Sequence, residues 1–334
     1  MLRSFCLAAL VCLAPAVGLA EGENTTCAGQ DLFATIPAEE RATLDAAIAL
    51  APYAQGNHWR ATRGDSTINI IGTFHLFDPR MPEHLAKLTP DLLQADAVYL
   101  EATQVELDEL QQAVAARPEL MFTQGATLPE RLSDEEWQLL SQEMSARGIP
   151  AFLASKFQPW YVSVMLAVPP CAIAAMTSGS SGMDHLISEA ADALGTPTHA
   201  LEPYDTVFRI FDQIPQDEQL DMIRISLPLA PDAEDMLATM ANSYDREDHR
   251  AIWEYSRLKS IAAAIGSPEK AAQDFEQMED ILINQRNHDW VGKILKVAPG
   301  KRLIVAVGAG HLAGDEGVLQ LLENAGYLLE RAEF

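Results

Sequence analysis

Two short apolar runs, one near each end of the chain, finish in the same signature. The first reads Ile68-Asn69-Ile70-Ile71-Gly72-Thr73-Phe74-His75 and the second Leu303-Ile304-Val305-Ala306-Val307-Gly308-Ala309-Gly310-His311. A β-rich apolar run this short reads as a buried strand. The Gly-x-x-His that follows predicts a sharp backbone turn at the glycine, because glycine adopts conformations closed to other residues. Each histidine is then offered at the carboxyl end of a strand, where open α/β sheets bind their ligands. Strand, Gly-x-x-His, helix and strand recur in that order at both ends. The expected fold is therefore α/β (α+β): a mixed central sheet flanked by helices, built from two pseudo-repeated halves.

Two histidines so placed can meet over one sheet, although far apart in sequence. Neutral imidazole is the commonest protein metal ligand, so His75 and His311 are candidates for a shared ion. Other polar groups are expected at the same edge. Ala97-Val98-Tyr99-Leu100 reads as a strand delivering Glu101, and Thr198-His199-Ala200-Leu201 as one delivering Glu202. Asp184 can cap a helix that Gly195 stops. A long helix opens at Ser267-Pro268 by N-cap and N1-proline logic. On it Arg286 and Asn287 neighbour an apolar stripe of Ile283, Trp290 and Ile294, so both can look inward. His84, His185, His199, His249 and His288 read as surface or structural, and His58 has no reading from pattern alone.

The rest of the chain supplies the frame. Residues 58–62 and 66–71 read as a hairpin across Arg63-Gly64-Asp65. That tripeptide resembles an adhesion motif, but Gly-Asp between strands is ordinary turn chemistry. Residues 81–94 read as helical, with Pro90 as a potential break. Ser133-Asp134-Glu135-Glu136 is a capping box, and residues 160–168 read as a buried helix. Residues 206–265 are helical and acidic and are expected to form a helical insertion, a solvated layer rather than a site. Residues 314–324 read as a final helix before a last strand.

Composition narrows the classes. The formal net charge is -25, from 48 Asp+Glu against 23 Lys+Arg. Such a surface repels phosphate backbones, so nucleic acid is not an expected partner, nor is an anionic membrane. A basic start, an apolar run over residues 4–17 and Gly18-Leu19-Ala20 read as a secretory leader, residues 1–20, cut after Ala20. The expected mature chain is a single domain, residues 21–334, soluble and either periplasmic or secreted. Cys27 and Cys171 remain after cleavage, and an even pair in an oxidising compartment predicts one disulfide.

These residues resemble the TraB/GumN family, which includes the TIKI metalloproteases, and its bacterial GumN-like branch. The resemblance rests on Gly72-Thr73-Phe74-His75 and Gly308-Ala309-Gly310-His311. Glu101, Gly182-Met183-Asp184, Leu201-Glu202, and Arg286-Asn287 with Trp290 reinforce it. It implies an α/β fold related to erythromycin-esterase-like proteins and metal-dependent hydrolysis, with manganese or cobalt as the ion. In that scheme His75 and His311 hold a divalent ion, with Glu101 as third ligand or general base. Three protein ligands with an open water position are the usual catalytic layout. Arg286 or Asn287 would stabilise an oxyanion, and Asp184 and Glu202 would orient the ligands or serve as spare ones. The mixed His and carboxylate set leaves zinc open. No His-Glu-x-x-His helix is present. The competing expectation is an exported binding protein that uses the same cleft for a peptide, lipid or sugar.

Overall fold

Strand β1 (His58–Arg63) turns at Gly64, whose φ is 62°, into β2 (Ser66–Thr73), and the two pair antiparallel as the hairpin pattern predicts. The computed structural model describes residues 27–262 and 267–334. The expected leader, residues 1–20, lies outside the described residues.

Four more strands complete the sheet: β3 (Ala97–Leu100), β4 (Thr198–Ala200), β5 (Arg302–Gly308) and β6 (Leu328–Arg331). Their order is β4-β3-β5-β2-β1-β6. Strand β2 pairs parallel with β5, and β3 pairs parallel with both β5 and β4. Strand β1 runs against both β2 and β6, so it alone is reversed. The sheet is mixed and helices cover both faces, in agreement with the expected fold class.

Side chains alternate along a strand, and here both sets are buried. Leu303, Val305 and Val307 of β5 join Ile68 and Ile70 in a core on one face. Ile304 and Ala306 join Ile71, Val98 and Leu100 in a larger core on the other. Burial on both faces explains why the two motif strands read as continuous apolar runs.

The motif strands β2 and β5 are neighbours, and their connections leave in opposite directions. From β2 the chain passes through the helix Met81–Leu92 to β3, on the far side of β5. From β5 it passes through the helix Val318–Asn324 to β6, on the far side of β2. Parallel crossovers are right-handed, so opposite directions place the helices on opposite faces. Met81, Leu88 and Leu92 indeed sit in the larger core, and Val318, Leu319 and Leu322 in the smaller one. Two diverging loops at adjacent strand ends leave a crevice between them.

Three local expectations are corrected. Pro90 does not break its helix, which runs through to Leu92. The helix forgoes the one bond that a residue-90 N–H would give to the Ala86 carbonyl, and it ends two residues later. The last helix begins at Val318 rather than at residue 314, with Gly317 as N-cap. The long helix after Ser267 is not continuous: Pro268–Glu279 passes through a π turn, Asp280–Asn284, into Gln285–Val297.

Residues 206–262 form the helices Thr206–Asp212, Gln216–Ser226, Ala233–Asp245 and His249–Ala262, with a short 3-10 segment at Leu227–Asp232. Phe208, Phe211, Ile223, Tyr244 and Trp253 of this stretch lie in the larger core. The stretch also anchors the N-terminal strap. Ala28 N–H donates to Glu234, Gln30 N–H to Asp235 and Leu32 N–H to Thr239. Cys27 is joined to Cys171, as expected, with Cα atoms 5.4 Å apart across 144 residues of sequence. Closing so long a loop removes about 4–5 kcal/mol of chain entropy from the unfolded state.

Candidate active site

The two histidines are pinned from opposite faces. His75 follows β2, and its Nδ1 lies 3.1 Å from Asp184 Oδ1. Asp184 stands in the first turn of the helix Met183–Leu194, which packs on the larger core. Gly182, not Asp184, is the N-cap of that helix. A Cβ at Gly182 would fall 2.3 Å from the His75 carbonyl oxygen, and Met183 N–H donates to the Phe74 carbonyl at 2.9 Å. The close approach of helix to strand end is what brings Asp184 to the ring.

His311 ends the turn after β5 and is fully buried. Its Nδ1 lies 2.7 Å from Asn287 Oδ1. The Asn287 amide nitrogen is committed to the carbonyls of His311 and Glu316, so Oδ1 must accept and His311 carries its proton on Nδ1. The lone pair on Nε2 then faces the interior. Trp290 packs on the same ring, with centroids 4.4 Å apart.

Glu101 lies between them at the end of β3. Its Oε1 accepts from Gly308 N–H at 2.6 Å and stands 4.0 Å from His75 Nε2. Its Oε2 accepts from Arg286 Nη2 at 2.7 Å. Arg286 reaches on to Glu202, donating to both its oxygens at 2.9 Å from Nε and Nη2. Trp290 Nε1 adds a bond to Glu202 at 3.2 Å. The remaining arm, Nη1, meets Leu282 O and His311 Nε2, each at 3.2 Å. The π turn containing Leu282 sits immediately before Arg286, and such bulges recur at functional sites.

The charges are correspondingly displaced. Burial pushes His75 down, but Asp184 and then Glu101 outweigh it and raise its pKa to about 9. Burial likewise opposes ionisation of Asp184, and His75 prevails and lowers it. Burial, Arg286 and His75 together hold His311 neutral, well below its ordinary value. Glu202 is raised by burial, with the neighbouring Glu101 charge adding to it against Arg286.

The motif glycines are required for space rather than for turning. Neither has a positive φ, and that of Gly308 is -49°, which corrects the expectation of a glycine-specific turn. A Cβ on Gly72 would lie 2.8 Å from Leu312 Cδ1 and 3.1 Å from Ala309 Cα. A Cβ on Gly308 would lie 3.2 Å from Glu101 Oε1, 3.5 Å from His75 Nε2 and 3.7 Å from His311 Cδ2. All three side chains therefore pass close over the Cα of Gly308. All nine expected site residues, Gly72, His75, Glu101, Asp184, Glu202, Arg286, Asn287, Gly308 and His311, fall in this one neighbourhood.

A family model described as the TraB/PrgY/gumN family matches residues 57–331. The chain belongs to this family. It is also similar to a protein of Escherichia coli (strain K12) described as the uncharacterized protein YbaP. The two are 25% identical over 274 residues, which cover 80% of this chain and 94% of that protein. The Shigella flexneri protein of the same description matches equally, at 25% identity over 274 residues.

A divalent ion suits the donor chemistry of this cluster in part. His75 Nε2 and Glu101 Oε1 are 4.0 Å apart, within reach of one ion between them. Among the described residues no three His, Cys, Asp or Glu side chains are already grouped around one point as ligands. Arg286 Nη1 faces His311 Nε2 at 3.2 Å.

Sequence reasoning missed the other side of the crevice. The helix Ala233–Asp245 covers it, and Tyr244 donates its hydroxyl to the Gly72 carbonyl at 3.0 Å. The apolar spacing of Met236, Leu237, Met240 and Tyr244 carried that signal, between Glu234 and Asp235 on one side and Asp245 on the other. His249 is buried against Asn57 and the Tyr53 carbonyl.

Proposed function

We propose that the chain is an exported hydrolase of peptide bonds that takes a divalent ion at His75 and Glu101. Manganese or cobalt is preferred over zinc, and His311 joins as third ligand when Arg286 withdraws from its Nε2. The observation that carries this reading is the close passage of Glu101, His75 and His311 over the bare Cα of Gly308. Both rings also have Nδ1 held by a side-chain oxygen, of Asp184 and Asn287, so Nε2 is the atom each would offer an ion, His75 after giving up the proton that Asp184 and Glu101 favour on it. When bound, the ion would acidify a water and polarise a carbonyl. Arg286 then supplies the positive charge for an oxyanion, and Glu101 is placed to take a proton. The leader pattern and the Cys27–Cys171 bond support export.

The test is calorimetry of residues 21–334 with manganese, cobalt and zinc, against the His75→Ala, His311→Ala double variant. Tight binding lost in the variant, with peptide cleavage abolished by chelator, is the expected result. Equal binding by both proteins would remove the ion from the mechanism.

One observation favours a second reading. Arg286 already supplies a cation between Glu101, Glu202 and His311. In that reading the protein binds a peptide, lipid or sugar in the crevice without turnover, and binding persists in chelator.

A further inference from the structure

Beside His75 lies a cavity of about 260 Å3 that the polar cluster does not use. Phe74 and Leu76 come to its wall from the loop after β2, and Met236, Leu237 and Met240 from the helix Ala233–Asp245. Leu32 of the N-terminal strap closes one side. Asp232, Ser256 and Lys259 are polar residues in its lining. A second space of about 40 Å3 shares Phe74, His75 and Met240 with the first and reaches Gly308 and Gly310. The two spaces therefore adjoin, with Phe74, His75 and Met240 in both walls, and Gly308, over which Glu101, His75 and His311 lie, lines the smaller one.

We infer that the larger cavity is a specificity pocket for one long apolar side chain, Leu, Met or Phe, of a bound peptide. It seats that side chain beside the bond presented to His75. The cleavage part rests on the hydrolase reading; the binding part does not. The volume sets the class, because about 300–1,000 Å3 is usual for a whole drug-sized ligand. A space of 260 Å3 suits one side chain and excludes a two-chain lipid. Met236 and Met240 add breadth within the class, since unbranched thioether chains repack around linear, branched or aromatic groups.

The experiment uses hexapeptides that differ at one position, Gly, Ala, Leu, Met or Phe, flanking a reduced CH2–NH bond that resists cleavage. Fluorescence anisotropy measures their affinity for the protein with residues 21–334. Leu, Met and Phe are expected to bind at least about tenfold tighter than Gly, the discrimination that even one methylene gives in an apolar pocket. Met240→Trp and Met236→Trp each fill the cavity from a different point, and in whichever of them keeps its melting transition the Leu-to-Gly ratio should fall toward one. Equal affinity for all five peptides, or a ratio unchanged in the folded variants, overturns the inference. So does a short-chain acyl-glycine amide that displaces the Leu peptide more strongly than free Leu peptide does. The matching amide peptides read cleavage separately. Preference in binding with no cleavage supports the pocket and removes the hydrolase reading alone.

Discussion

Arg286 Nη1 stands 3.2 Å from His311 Nε2. A guanidinium keeps its proton at any ordinary pH, so the ring nitrogen facing it must be an acceptor. One arginine thereby neutralises Glu101, shares its charge with Glu202 and fixes the tautomer of a histidine on another loop.

Replacing it separates the two readings of the crevice. Arg286→Gln leaves two buried carboxylates without their cation, and breaking such a pair costs about 3–5 kcal/mol of stability. The same variant exposes His311 Nε2 and removes a repelling charge. Calorimetry should then record tighter manganese or cobalt binding than in the parent. Weaker binding would show that Arg286 helps to hold the ion site together rather than competing with it.

The two motif glycines should respond differently to one added methyl. Gly308→Ala places a carbon among Glu101, His75 and His311, so ligand binding or turnover should fall at least about tenfold with melting changed by only a few degrees. Gly72→Ala presses on Leu312 and Ala309. It should cost about 1–3 kcal/mol of stability as an overpacked core site does. Thermal melts and binding assays on both proteins check the contrast, and identical behaviour would remove the distinction between them.

His249 predicts an acid limb in the stability profile. Burial, with Arg250 and Arg331 nearby, lowers its pKa from 6.5 to about 4, against the pull of the Tyr53 carbonyl. The folded value is the lower, so the unfolded chain takes up the proton first. Its contribution is complete above pH 6.5 and is lost as pH falls toward 4, by about 3 kcal/mol in all. Urea melts between those limits should show this slope, and His249→Gln should flatten it. A parent profile already flat would mean that Asn57 Oδ1 and Tyr53 O hold the ring in its charged form.

Removing the disulfide should loosen the strap as well as the fold. Cys27→Ser with Cys171→Ser is expected to lose about 3–5 kcal/mol of stability. Limited proteolysis should cut first among the residues before the helix Ala38–Ile48, which includes Leu32 at the cavity wall. Unchanged cleavage sites would show that the bonds from Ala28, Gln30 and Leu32 hold the strap unaided.

Local chemistry wrote most of the frame into the sequence. The hairpin at Gly64, the capping box at Ser133 and the N-cap at Ser267 stand where their residue types placed them. The meeting of His75 and His311 was legible because each ends a buried strand, and parallel neighbours align their carboxyl ends. The roof was harder to read. Its apolar residues share a helix with Glu234, Asp235 and Asp245, and no local pattern says that this helix crosses back over β2. Nor does spacing reveal the π turn before Arg286, because Ile281, Leu282 and Ile283 suit an ordinary helix equally well. The partners of Arg286 come from three other segments, and only the assembled sheet brings them together.

That π turn makes the helix a counted screw. A π turn takes up one residue more than an α turn would over the same rise, and each residue turns an α-helix by about 100°. Were one residue lost from Asp280–Asn284, the helices Pro268–Glu279 and Gln285–Val297 could not both keep their faces where they are. Arg286, Asn287, Trp290 and Ile294 would hold their places together only if Phe275, on the other side of the turn, arrived one position out of phase in its own core. Sequences that keep this crevice are therefore bound in length along this stretch, not only in residue type.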